Sequence, residues 1–405
     1  MTKNILINGP FNVIRLEGLA FGIKKIIYVM FDYHLDIQFQ TKCPSFESLD
    51  LSQYLATTLK NVKKPIDFMF EITKTEVDRN SLQQYKEKYI REVSSFFKIE
   101  HFKSINAAPS MARYHYIDIR DHLYNTVDYY MYNLENRFQL LNSNNYLSVN
   151  NINEIVYYLN LLTKELNLWD KIMFGDIHNN SKIITKHFHE LQKKNLIDNK
   201  IAEDNIQKLT KFITKLRTKY NNPVIFKNLE DIFDLIKKYS DESKKICFDI
   251  INEFNDNKKF MVQYDELVYI ESLKKYVWGQ PMEINFDIIK SVCAKYNTLY
   301  INILKLFSNI VDTFYLRRLL DKKYIQHVIT YTGCYHSINY IQHLLTKYDF
   351  QITHVSYSLL DNITDINDHL KKFNDTNDRR EYEKMFYPPK LIQCSDLSSF
   401  PPNFD

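Results

Sequence analysis

Gly333-Cys334-Tyr335-His336 stands between an alternating, β-branched run at residues 327–332 and an amphipathic pattern at 337–350, in a chain with 6 glycines among 405 residues. Strand-to-helix junctions at the carboxyl ends of strands are where α/β proteins place their chemistry. A glycine there lets the backbone turn sharply and leaves His336 at the mouth of a sheet. The same four residues would also serve as a plain tight turn beside a hydrogen-bonded histidine. A second stretch of the same design shifts the balance. Residues 24–30 read as a buried strand that runs into Phe31-Asp32-Tyr33-His34, followed by a helical pattern at 48–60 and a strand at 66–70 that ends on Glu71. Two histidines and a carboxylate on one sheet edge suit a divalent transition metal, manganese, cobalt or zinc, with an open coordination position. Such a metal acidifies a bound water for attack on a carbonyl or similar electrophile. Taken alone, Glu71 could equally cap a helix or pair with an arginine.

The elements that must position these residues read as two β-α-β units, one over residues 24–71 and one over 327–358. Each implies parallel strands joined by a right-handed crossover. The expected fold class is therefore α/β, with a central, mainly parallel sheet made from two β-α-β halves and interrupted by a large helical insertion. Residues 4–17 read as a hairpin around Asn8-Gly9-Pro10. Residues 114–119 read as a further strand ending near Asp118 and Arg120, either a support behind the metal site or a plain ion pair. Apolar residues recur at three- and four-residue spacing over 152–168, 184–196, 206–220 and 226–239. The expected division is 1–121 for the first half of the core, 122–310 for the insertion, 311–371 for the second half and 372–405 for an extended tail. The insertion is a candidate surface for substrate selection or a protein partner. The tail, with Pro388-Pro389 and Pro401-Pro402, is expected to run over the surface.

Other reactive residues carry weaker patterns. Asp32, two before His34, is a candidate acid or base unless strand alternation turns it away. Cys334 and Ser337 lack a legible base, which leaves packing and helix capping. Gly175-Asp-Ile-His178 repeats the glycine–histidine spacing without a strand before it, so His178 reads as a loop residue. His187 and His189, spaced i,i+2, would point to different faces of a helix.

The motifs resemble the TraB/TIKI group and its ChaN and erythromycin-esterase-like relatives, whose members pair two Gly-x-x-His motifs, each after a strand, with a glutamate at another strand end. Residues 311–318, Val-Asp-Thr-Phe-Tyr-Leu-Arg-Arg, and the run from Val328 to His336 look like that group's arginine-bearing helix and second motif. The resemblance covers roughly residues 5–120 and 310–360. It implies His34, Glu71 and His336 as metal ligands, Gly333 as a supporting position, Arg317 or Arg318 facing the site to stabilise developing negative charge, and a metal-dependent hydrolase of peptide or ester bonds. The first motif departs from the pattern with Phe31 in place of glycine. That departure supports an alternative, a catalytically inactive descendant used as a viral structural or host-interaction protein.

Composition sets the outer bounds. Hydrophobic residues at 45% and charged residues at 25% are those of a soluble globular chain. High tyrosine and phenylalanine with little glycine point to an AT-rich genome, and the bias is similar to that of uncharacterised proteins of amoeba-infecting giant viruses. A net charge of +4 is small for this length, and Glu190, Asp198, Glu203 and Asp204 break up the lysines of 182–219, so nucleic-acid binding is not expected. The 5 cysteines, at 43, 247, 293, 334 and 394, spell neither a zinc knuckle nor a disulfide framework. No signal peptide or membrane span is legible, and an intracellular setting, host cytoplasm or virion, is expected. TIKI proteins are typically membrane-anchored, so their substrates are not carried over.

Overall fold

A computed structural model of the protein describes residues 5–34, 37, 40–72, 89–93, 112–120, 125–144, 147–193, 199–258, 267–270, 275–278, 286–373 and 379–404. In chain order these form β1 (Leu6–Asn8), β2 (Asn12–Ala20), β3 (Ile23–Asp32), β4 (Leu49–Asp50), α1 (Leu51–Leu59), β5 (Ile66–Phe70) and β6 (Ala112–Tyr116). Then come α2 (Asn125–Asn144), α3 (Val149–Phe174), α4 (Ile177–Lys193), α5 (Asn199–Thr218), α6 (Pro223–Asn228), α7 (Glu230–Asp256), β7 (Leu267–Ile270), β8 (Lys275–Trp278) and α8 (Phe286–Asp321). The chain continues through β9 (His327–Gly333), α9 (Cys334–Lys347), β10 (Gln351–Val355), α10 (Ile363–Leu370), α11 (Arg379–Phe386) and β11 (Cys394–Asp396). One compact unit holds Met1–Ile119, Asn221–Asn228 and Phe314–Asp405, and a second holds Arg120–Tyr220 and Leu229–Thr313.

The first unit is mixed α/β. Its six-stranded sheet has the order β10-β2-β3-β9-β5-β6. Strands β3, β9, β5 and β6 run parallel, and β2 is antiparallel to both of its neighbours. Strand β3 is buried from Lys25 through Asp32, which accounts for its unbroken apolar run. The strands of the two expected units interleave: β9 lies between β3 and β5, while β2 and β3 lie between β9 and β10. One sheet face packs Tyr28, Met30, Ile329, Tyr331, Phe68 and Phe70 against Leu51 and Leu55 of α1. On the other face Tyr315 of α8 hydrogen-bonds Thr330 and stacks on Tyr340 of α9 at 3.8 Å.

Three expectations are corrected. The anticipated hairpin over 4–17 is absent, because β2 is flanked by β3 and β10 while β1 pairs with β11 and β4 in a separate three-stranded sheet. The hairpin that does form joins β2 to β3 through Phe21 and Gly22, whose φ values of 53° and 79° suit a two-residue turn matched to strand twist. The tail is folded in rather than laid over the surface, since Tyr382, Met385, Phe386, Leu397 and Phe404 are buried and β11 completes the small sheet. Finally, Cys43 and Cys394 form a disulfide across 351 positions of sequence, a separation that leaves no local signature.

Among the described residues the elements of the second unit are helices apart from the antiparallel pair β7–β8, which the periodicity did not reveal. Helix α3 buries Ile152, Ile155, Leu159, Leu162, Leu166 and Trp169 along one stripe. His178 falls in the first turn of α4 rather than in a loop, with its backbone N–H donating to Asp176 Oδ1. Among the described residues no helix is long and apolar enough to cross a membrane.

Candidate functional site

His34, Glu71 and His336 meet at the carboxyl ends of three neighbouring strands. His34 follows β3, Glu71 follows β5, and His336 lies in the first turn of α9, directly after the middle strand β9. The register aligns Asp32 with Gly333 and Phe70 with Tyr331, so the strands end close together. Glu71 is the hub. Its Oε1 lies 3.3 Å from His336 Nε2 and its Oε2 lies 3.5 Å from His34 Nε2. The Gly333 backbone N–H donates to Oε2 at 2.6 Å, and the Glu71 N–H donates to the Tyr331 carbonyl at 3.2 Å. His34 Nδ1 pairs with Asp32 Oδ2 at 2.8 Å, which leaves Nε2 for Glu71. The Glu71 and His336 side chains are each 4% exposed, whereas His34 is 38% exposed and opens the cluster to solvent.

Burial alone would raise the Glu71 pKa, but the His336 and His34 imidazoles outweigh it and hold the carboxyl well below the usual range. Burial alone would lower the His34 pKa, but the Asp32 and Glu71 carboxylates raise it to about 10. His34 also has a left-handed backbone, φ 56°, a conformation histidine adopts more readily than most residues and one found at sites held by their surroundings.

Gly333 serves a different purpose from the sharp turn expected of it. Its φ of −55° and ψ of 148° are open to any residue. A Cβ at this position, however, would stand 2.6 Å from His34 Nε2 and 3.2 Å from Glu71 Oε2. The absence of a side chain on the middle strand is what lets the groups from the flanking strands touch.

The remaining expected site residues divide. Asp32 is buried and bound to His34, so alternation turns it toward the cluster. Phe31 turns the other way: it is fully buried against Phe11 and Phe386, with ring centroids 5.6 and 6.4 Å apart, and does not narrow the site. Arg318 is directed elsewhere, its Nη2 lying 2.6 Å from His115 Nδ1. The other nitrogen of His115 lies 2.6 Å from Asp67 Oδ1, and Arg113 grips Asp67 at 2.8 and 2.6 Å. Asp67 precedes Glu71 by four strand residues, about 13 Å, so this network is separate from the histidine cluster. An acid inside the apolar run Ile66-Asp-Phe-Met-Phe70 was its available sequence signal. Arg317 is buried on α8. Asp118 and Arg120 are half-buried beyond β6 and fall in different units. His187 lies 3.3 Å from Glu165, whereas His189 is exposed.

Two imidazoles and a carboxylate, one imidazole backed by Asp32, are a donor set suited to a divalent transition metal. Bonds of about 2.0–2.2 Å place tetrahedral ligand atoms roughly 3.4 Å apart, close to the two histidine–glutamate spacings. Among the described residues, no group of three or more His, Cys, Asp or Glu side chains is arranged as a ready metal cage. The donor chemistry therefore fits, while the three groups are engaged in pairwise contacts with one another.

No solved structure matches the chain. Uncharacterized protein R706 of Acanthamoeba polyphaga mimivirus is 29% identical over 98% of this chain and 97% of its own length. Uncharacterized protein R160 of the same virus is 30% identical over 100% of this chain and 98% of its own, and Uncharacterized protein R161 is 28% identical over 100% and 99%. These relatives agree with the viral origin suggested by composition, and none of their descriptions names the TraB/TIKI group. A family model matches residues 5–405, nearly the whole chain, and the protein accordingly belongs to the family of unknown function DUF5847.

Proposed function

We propose that the protein is a metal-dependent hydrolase of TraB/TIKI-like type, acting on a peptide or ester bond with His34, Glu71 and His336 as ligands of manganese, cobalt or zinc. The observation that carries this reading is the bare backbone at Gly333, in an ordinary conformation, where any Cβ would meet His34 Nε2 at 2.6 Å. A glycine kept only for turning would not need to stand between two donor groups. When bound, the metal would acidify a water and polarise the scissile carbonyl. Asp32 holds His34 through Nδ1, and the Gly333 N–H holds Glu71 through Oε2. The exposure of His34 provides the side from which substrate would approach. Arg318 is committed to His115, and the reading rests on neither Arg317 nor Arg318.

One observation favours a second reading. His34 and His336 already pair with Glu71, and no ready metal cage exists among the described residues. An inactive descendant with a viral structural or host-interaction role would retain such a cluster for stability. Metal content after incubation with manganese, cobalt and zinc separates the two. Stoichiometric metal that is lost in a folded His34→Ala/His336→Ala variant supports the hydrolase, and Glu71→Gln should then abolish any hydrolysis found in a peptide and ester screen. Absence of metal from the folded wild type favours the second reading.

A further inference from the structure

We propose that Tyr331 and Tyr89 are positioning residues for His34, acting through the second carboxylate oxygen of Asp32. This deepens the metal-site reading and rests on it only where metal affinity is measured. The two Asp32 oxygens have unequal surroundings. Oδ2 is paired with His34 Nδ1 at 2.8 Å, whereas Oδ1 is buried without a well-formed hydrogen bond. The Tyr331 and Tyr89 hydroxyls are buried in the same condition. Buried polar groups are normally well paired, so three beside one site ask for an explanation.

The fold explains how they gather. Tyr331 is opposite Met30 on β9 and Gly333 is opposite Asp32, which makes Tyr331 the diagonal neighbour of Asp32 on one sheet face. Tyr89, from the helical stretch 89–93, packs in the hydrophobic cluster that contains Met30 and Tyr331. Burial raises both phenol pKa values, with Asp32 among the charges that add to the rise, so both hydroxyls keep their protons beside that carboxylate. A protonated phenol and a carboxylate oxygen are natural partners, directly or across one buried water. Holding Oδ1 fixes the plane of the carboxylate and with it Oδ2. His34 Nδ1–H then has one fixed acceptor, and Nε2 is aimed at Glu71. Asp32 in this arrangement orients the histidine and is not the acid or base of the reaction.

The test uses the full chain with Tyr331→Phe, Tyr89→Phe and both together, each checked for folding by circular dichroism and urea denaturation. Nitrogen-15 NMR of labelled histidine follows solvent exchange of the His34 Nδ1 proton, and competition with a chromophoric chelator gives zinc affinity. Positioning predicts at least tenfold faster Nδ1–H exchange in Tyr331→Phe and a zinc affinity lower by about 10- to 100-fold. If Tyr331→Phe fails to fold, Tyr89→Phe carries the same expectation with a smaller effect. Unchanged exchange in the folded variants, with stability equal or higher, would overturn the proposal, because that is what deleting an idle buried hydroxyl does. A wild-type protein that binds no zinc removes the metal reading, and the exchange rate alone then decides on positioning.

Discussion

Replacing Gly333 with alanine adds one carbon atom at the place where three strands deliver their reactive groups. The new Cβ would lie 2.6 Å from His34 Nε2 and 3.1 Å from Cδ2 of the same ring. Carbon and nitrogen normally rest about 3.5 Å or more apart, so the ring must retreat by about 1 Å. The Gly333 backbone already suits alanine and His34 is 38% exposed, so the ring can swing outward without unfolding the sheet. Glu71, 3.2 Å from the new atom, stays tied to the Gly333 N–H. The variant should therefore keep its fold while losing the His34–Glu71 contact. His34 would retain Asp32 but lose part of what lifts its pKa to about 10, so its NMR titration midpoint should fall while remaining above the ordinary 6.5. If the metal reading holds, zinc affinity should also fall, by about 10- to 100-fold, the usual effect of disturbing a ligand's support. An unchanged His34 midpoint in a folded variant would refute the steric argument, whatever the protein does with metals.

Other perturbations separate the site from its scaffold. Phe31→Ala should destabilise by about 3–5 kcal/mol in urea, as for a buried core aromatic, and leave the His34 NMR signal in place; a shift of that signal without loss of stability would return Phe31 to the site. Lys25 is fully buried with its ammonium donating to the Lys322 and Ile325 carbonyls at 3.1 and 2.5 Å, and burial outweighs Asp67 and Asp321 to bring its pKa down to about 8. The unfolded chain then holds more protons between pH 8 and 10.5, so wild-type stability should rise relative to Lys25→Met by about 3 kcal/mol from pH 7 to 10.5, and a flat difference would dismiss the buried charge. Cys43→Ser should lower stability by about 2–4 kcal/mol relative to the oxidised protein, and equal urea midpoints under non-reducing conditions would show that the cross-link adds nothing.

Much of the sheet was legible because its strands are nearly continuous apolar runs: residues 24–30, 66–70 and 327–332 all lie within observed strands. His34, Glu71 and His336 stood out because each follows such a run directly. Strand order was not legible, since placing β9 between β3 and β5 depends on pairing between distant segments that leaves no local pattern. The partners of β2 were misassigned: the hairpin expected around Asn8-Gly9-Pro10 gives way to pairing with β3 and β10, where Arg15, bonded to Glu17, is buried on Tyr28 and Thr353. In the tail, paired prolines suggested an extended arm, but the burial of Phe400 and Phe404 against Tyr28 and Tyr54 depends on partners far away in sequence. That Asp32 rather than Phe31 faces the cluster was not legible, because alternation alone does not say which side of a strand faces a site that lies beyond its end.

The place of β9 between β3 and β5 also bears on how the protein is made. A ribosome delivers β3, β5 and β6 long before β9, and until His327–Gly333 emerges the early apolar strands lack the neighbour that joins them. The helical unit, built from contacts nearer in sequence, can mature during that wait. A chain interrupted before residue 327 would therefore carry exposed strand edges and no histidine cluster, which makes it a substrate for aggregation or degradation rather than a weakened version of the whole. Only chains extended past His336 acquire the site.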